Sequence, residues 1–149
     1  MSSDLHDLYQ QVIVDHSKRP RNFRVIDQAT AVEGYNPLCG DKVTIYVRVE
    51  NGVVKDVSFQ GSGCAISTAS ASLLTEALKG KTLADADALF ESFHQLVTGL
   101  EPAHDEPELG KLTVFSGVCD YPTRVKCATL AWHTLRAALQ GAGQTVSTE

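Results

Sequence analysis

Lys42–Glu50 alternates residue by residue, with Val43, Ile45, Val47 and Val49 on one side and Lys42, Thr44, Tyr46 and Arg48 on the other. Successive side chains of a strand point to opposite faces, so this pattern predicts a strand with one face buried and one solvated. Asn51-Gly52 follows at once. Both residues tolerate the positive φ that a two-residue hairpin turn demands. Val53–Gln60 then returns as the partner strand, with Val57 and Phe59 inward, and a further strand is expected to begin near Thr30–Gly34. The hairpin commits the chain to an antiparallel sheet whose apolar face must be covered.

The cover is helical. Asp4 to about Lys18 carries a stripe of Leu5, Leu8, Tyr9, Val12 and Ile13, the spacing of one helix face. Pro20 stops it, because the residue before a proline avoids helical angles. Ala65–Leu78 predicts a second helix, closed by Gly80. Leu83–Leu100 predicts a third, with Thr82 and Asp85 placed as a capping box. Glu101–Gly110 is acidic, holds two prolines and reads as an exposed loop. A last helix is expected from about Pro122 to Gln140, burying Val125, Ala128, Trp132, Leu135 and Leu139, followed by a fraying tail, Gly141–Glu149. Sheet first and helices after is an α+β order. The expected architecture is an N-terminal helix, a three-stranded antiparallel sheet and helices packed on one face. All 149 residues are read as a single domain.

The formal net charge is −5, and basic residues gather only at Lys18–Arg19 and Arg21–Arg24. Phosphate backbones need a basic stripe, so general nucleic-acid binding is excluded, and a small basic patch for a protein partner remains. The first residues have neither the charged start nor the apolar run of a secretory signal. No stretch approaches the ~18 apolar residues of a membrane span. The expected location is the cytoplasm, where thiols stay reduced. Four cysteines in such a chain call for metal binding, redox chemistry or simple burial.

Cys39-Gly40-Asp41 lies in the loop feeding the first clear strand, and the glycine lets the backbone bend enough for both side chains to reach one ion. Cys64 follows Gly61-Ser62-Gly63 where a strand end meets a helix start, and Cys127 falls in the second turn of the last helix. Helix N-termini favour thiolate. Three sulfurs and a carboxylate suit tetrahedral zinc. No C-x-x-C pair occurs among them, so spacing by itself leaves a shared metal site and separate buried thiols as alternatives.

Four segments resolve the choice by resemblance. They are Tyr9–Asn22, with Asp15-His16 and Pro20-Arg21-Asn22; Asn36-Pro37-Leu38-Cys39-Gly40-Asp41; Phe59–Ser67 around Gly63-Cys64-Ala65-Ile66-Ser67; and Arg124–Trp132 around Lys126-Cys127-Ala128-Thr129-Leu130-Ala131-Trp132. In this order, across nearly the whole chain, they resemble SufU-type sulfur-relay proteins, relatives of the U-type scaffolds of iron–sulfur cluster assembly. The resemblance implies zinc held by Cys39, Asp41, Cys64 and Cys127. Scaffold relatives carry a histidine before the last cysteine, whereas this chain has Lys126. The zinc branch also carries an insertion between its second and third cysteines. The 62 residues from Ala65 to Lys126, with the insertion at about 80–118, fit that. Sulfur transfer is therefore implied ahead of cluster scaffolding, with a bound iron–sulfur cluster as the alternative.

The implied partner is a SufS-type, pyridoxal-phosphate-dependent cysteine desulfurase carrying a persulfide, with a cluster-assembly scaffold downstream. Cys39 is the implied sulfur acceptor. It sits on a glycine-flanked loop, while Cys64 and Cys127 are anchored by helices, and a desulfurase residue takes over the zinc position it leaves. Asp41 is read as an exchangeable oxygen ligand that tunes lability. Arg124 precedes Cys127 by three residues, so on a helix it shares roughly the same face and would steady a thiolate or touch the partner. Cys119 lies outside the pattern and reads as a free thiol. Among the histidines, His16 is expected to pack or cap, His133 to point away from the site, His94 and His104 to be surface residues, and His6 to sit at a mobile end.

Overall fold

The computed structural model describes residues 2–37, 39–99, 110–139 and 146–147. Helix α1 spans Ser2–Lys18, followed by strands β1 (Thr30–Asn36), β2 (Asp41–Glu50) and β3 (Val53–Ser62). Helices α2 (Ala65–Leu78) and α3 (Leu83–Thr98), a 3₁₀ helix η1 (Gly110–Asp120), helix α4 (Pro122–Leu139) and a two-residue strand β4 (Val146–Ser147) complete the order. The sheet runs β3-β2-β1-β4, antiparallel through its first three strands.

The hairpin forms at Asn51-Gly52, whose φ angles are 53° and 74°. Val43, Ile45, Val47, Val57 and Phe59 turn inward and are buried. Val49 does not follow its alternation. A register shift between Arg48 and Val49 sets Val49 opposite Val54, and Val49 is left 39% exposed. An extra residue on one strand of a pair bends the strand and breaks the pleat locally. The outer edge of β3 is closed by the chain after α1: Phe59 N–H donates to Asn22 O and Arg24 N–H to Phe59 O, at 3.0 and 3.1 Å. β4 pairs parallel with Gly34–Tyr35 on the opposite edge. The tail was expected to fray, yet at these two residues it returns to the sheet; 140–145 and 148–149 lie outside the described residues.

Helices α2 and α4 cover the apolar face. Gly34 lets α4 come close, because a Cβ there would overlap the Thr134 hydroxyl and stand 3.2 Å from Leu130 Cδ1. Ser70, fully buried on α2, donates to Ala128 O at 2.6 Å and accepts from Trp132 Nε1 at 3.2 Å, so the polar atoms between these helices are satisfied. His16 is buried as a packing residue, its Nδ1 2.7 Å from Ser72 Oγ.

α3 starts on Thr82, whose hydroxyl accepts from Asp85 N–H, and ends at Thr98 with Gly99 left-handed at φ 81°. It packs on η1 and α4, where Phe93 stacks on Trp132 at 4.5 Å between ring centroids. Leu112, Val114, Phe115 and Val118 bury one side of η1, an element the sequence reading does not contain. Leu100 and the acidic stretch 101–109, with His104, lie outside the described residues, as do the side chains of Cys119 and His6.

Candidate metal centre

Cys39 sits on the turn joining β1 to β2, its N–H donating to Asn36 O at 3.3 Å. Gly40, at φ +69°, makes the bend that allows Cys39 and the first residue of β2, Asp41, to face one point. Asp41 is fully buried and Cys39 half-buried. Cys64 is the N-cap of α2, with extended backbone angles, and its sulfur accepts from Ser67 N–H at 3.4 Å. Its own N–H donates to Asp41 Oδ1 at 2.8 Å, while its thiol lies 3.7 Å from Asp41 Oδ2. Cys127, fully buried in α4, brings its sulfur 3.2 Å from Cys39 Sγ.

Donor atoms of Cys39, Asp41 and Cys127 thus all lie within 4.8 Å of one another. Cys64 stands just outside that trio and joins it through Asp41. Tetrahedral zinc with bonds near 2.3 Å to sulfur separates its sulfurs by about 3.8 Å and a sulfur from an oxygen by about 3.5 Å. The sulfur–oxygen separation of 3.7 Å between Cys64 and Asp41 is close to the second value, while the Cys39 and Cys127 sulfurs, at 3.2 Å, stand closer than the first and would move apart around an ion.

Charge points the same way. Burial, then hydrogen bonds with Asp41 and Cys39, then the charges of Cys64 and Asp41, push the Cys127 thiol far above its ordinary range. A buried thiolate beside a carboxylate is costly without a cation. Arg124 supplies one positive charge, and the adjoining Cys64 and Cys127 raise its own pKa. A metal ion would take the three cysteines as thiolates, and one guanidinium would not balance these and a carboxylate. A divalent, sulfur-preferring ion fits both the donor set and the missing charge.

Arg124 also lines a groove of about 730 Å³ that opens beside Cys64 between α1, α2, η1 and α4, with Tyr9, Ile13, Ile66, Val118 and Tyr121 as its apolar walls. Tyr121 is 63% exposed there. Lys126, next to Cys127, is half-buried. His133 faces α3, its ring 5.3 Å from Phe90 and 6.3 Å from His94. His94 is half-buried in that aromatic cluster, not a surface residue. Two supports have no counterpart in the sequence reading. Asn36 is fully buried with its Nδ2 3.9 Å from Cys127 Sγ, and the Cys64 N–H fixes Asp41. Asn36 enters that reading only as the first residue of the Asn36–Asp41 segment, with no role attached; a backbone amide carries no signal at all.

Residues 8–140 match the NifU-like N terminal domain family. The chain is 42% identical over 139 residues to the iron–sulfur cluster assembly scaffold protein IscU of Streptococcus pyogenes serotype M1, an alignment spanning 93% of this chain and 86% of that protein. It is 40% identical over 134 residues to the zinc-dependent sulfurtransferase SufU of Bacillus subtilis, spanning 90% of each. A crystal structure of a candidate iron–sulfur cluster assembly scaffold for the SUF system, from Fervidobacterium islandicum AW-1, superposes with a TM-score of 0.82 at 38% identity, covering 90% of this chain and 98% of that one. The chain belongs to the NifU-like N-terminal domain family, among the IscU- and SufU-type proteins of iron–sulfur cluster assembly.

Proposed function

We propose that this chain, an iron–sulfur cluster assembly protein of the IscU/SufU kind, is a zinc-dependent sulfurtransferase. It takes persulfide sulfur from a pyridoxal-phosphate-dependent cysteine desulfurase of the SufS type and passes it to a downstream scaffold. Cys39, Asp41, Cys64 and Cys127 would hold the ion, which when bound keeps the thiols deprotonated near neutral pH.

One observation carries the assignment of the acceptor. Cys39 is half-buried on the turn at Gly40; Cys127 is fully buried inside α4, and Cys64, though half-buried like Cys39, is tied down at a helix cap by the Ser67 N–H. An attacking thiolate must be reachable. In the exchange, Cys39 Sγ attacks the terminal sulfur of the donor persulfide. A new S–S bond forms on Cys39, the donor's S–S bond breaks, and the desulfurase cysteine leaves as a thiolate, so no oxidant or reductant is consumed. Arg124 stays beside Cys64 and Cys127 and offsets the negative charge that remains with them.

A second reading, an assembly scaffold using the same three cysteines, is favoured by the likeness to the scaffold protein IscU of Streptococcus pyogenes. Lys126 in place of a histidine and the long segment before Cys127 favour transfer. The deciding experiment measures desulfurase turnover with and without this protein, wild type against Cys39→Ala, alongside zinc and iron content. Sulfur transfer predicts a colourless protein with one zinc that stimulates turnover and, after mixing with the loaded desulfurase, gains a sulfur that Cys39→Ala cannot accept. A brown protein that hands a cluster to an apo-target, with turnover unaffected, would establish the scaffold instead.

A further inference from the structure

Asp41 has two carboxylate oxygens, and its position at the start of β2 does not choose between them. The neighbouring turn does. Cys64 N–H donates to Oδ1 at 2.8 Å, leaving Oδ2 turned toward the thiols, 3.7 Å from Cys64 Sγ. Behind Oδ1 stands Gly63. Its φ lies outside the left-handed region that favours glycine, so chain conformation does not call for glycine there. Space does. A Cβ at position 63 would overlap Asp41 Oδ1 and stand 3.0 Å from Asp41 Cγ and 3.1 Å from its Cα.

Gly61 repeats the device against the backbone of β2, where a Cβ would overlap Lys42 O and lie 2.9 Å from Val43 Cα. Gly61-Ser62-Gly63 thus brings the end of β3 down onto the start of β2, close enough for the Cys64 amide to reach a carboxylate 23 residues earlier. From this geometry we infer that Gly63 is a positioning residue for Asp41. Its missing side chain is the recess that holds Oδ1 against the Cys64 N–H, so that Asp41 offers a metal ion only Oδ2. The inference rests on the reading of this cluster as a metal centre.

The test is a double-mutant cycle on the full chain, reading zinc affinity by competition with a chromophoric chelator and folding by circular dichroism. Groups that orient a metal ligand are worth about 10–100-fold in affinity. Gly63→Ala is expected to weaken zinc at least about tenfold. In an Asp41→Ala background the same change is expected to cost much less, because Oδ1 and Cγ are gone and only the 3.1 Å approach to Cα remains. Should Gly63→Ala fail to fold alone, the double variant is expected to fold, which supports the same coupling. Equal zinc affinity in Gly63→Ala and wild type would overturn the inference. So would an undiminished penalty, or lost folding, in the Asp41→Ala background, since the glycine would then serve the backbone and not the carboxylate. A wild-type chain that binds no zinc would instead remove the metal reading on which the inference stands.

Discussion

Replacing Phe93 with alanine tests whether α3 is part of the core or merely lies against it. Phe93 is 1% exposed, stacked on Trp132 with planes 13° apart and set edge-on to Phe115 at 5.7 Å. Truncating a buried phenylalanine costs about 3–5 kcal/mol through lost transfer energy and the cavity left behind. That range already contains the lost aromatic pairs, about 0.5–1.5 kcal/mol each, and alanine recovers only about 0.5 kcal/mol of helix propensity. We therefore expect about 4 kcal/mol, equivalent to a fall of roughly 8–16 °C in Tm for a chain of this size. Trp132 is the sole tryptophan, so urea unfolding followed by its fluorescence reports the α3–α4 contact directly. The midpoint should move at nearly constant slope. Cys127 lies a turn and more before Trp132 on α4, so the folded mutant should keep its full zinc content. A loss under about 1 kcal/mol would refute the packing of α3 on α4, and a loss of zinc at unchanged stability would refute the separation of core from site.

Two further perturbations reach other parts of the molecule. Burial first, then Arg21, holds the His16 imidazole below its ordinary range of 6.5, against a smaller opposite pull from Glu76. The folded chain therefore binds fewer protons than the unfolded chain, and stability falls as pH drops through about 6.5 and below. Wild type should lose more stability between pH 7.5 and 5.5 (chosen to straddle about 6.5) than His16→Asn, as read from urea midpoints; parallel losses would discount His16, leaving His133, which burial, His94 and Arg136 also hold low. Arg124→Gln should retain zinc but lower desulfurase stimulation on the order of tenfold, the loss of one charge-assisted contact of about 1.5 kcal/mol. Unchanged stimulation would reduce Arg124 to a solvated helix-start residue.

What the sequence discloses about this protein depends on whether the chain repeats itself. β2, β3, α2 and α4 have clear periods, and the hairpin at Asn51-Gly52 has its own turn chemistry, so their extents match the structure closely. The bulge at Arg48/Val49 is invisible because it is a matter of register between strands, not of composition. η1 escapes for a different reason. Leu112, Phe115 and Val118 recur every three residues, the period of a 3₁₀ helix, which falls between the spacings of two and three and a half that mark strands and α-helices. The site divides along the same line. Its candidate ligands are legible as residue types at element ends, but their meeting depends on contacts spanning 23 residues from Asp41 to Cys64 and 88 from Cys39 to Cys127. Those contacts exist because β3 folds back over β2 and α4 crosses the sheet, and no local spacing encodes either. The supports are harder still to read, since the amides of Cys64 and Ser67 that hold Asp41 and Cys64 carry no side-chain signature. Gly63 is the informative exception. Where backbone angles suit any residue and glycine still stands, the absent side chain itself records what lies opposite, and here that is the carboxylate of Asp41.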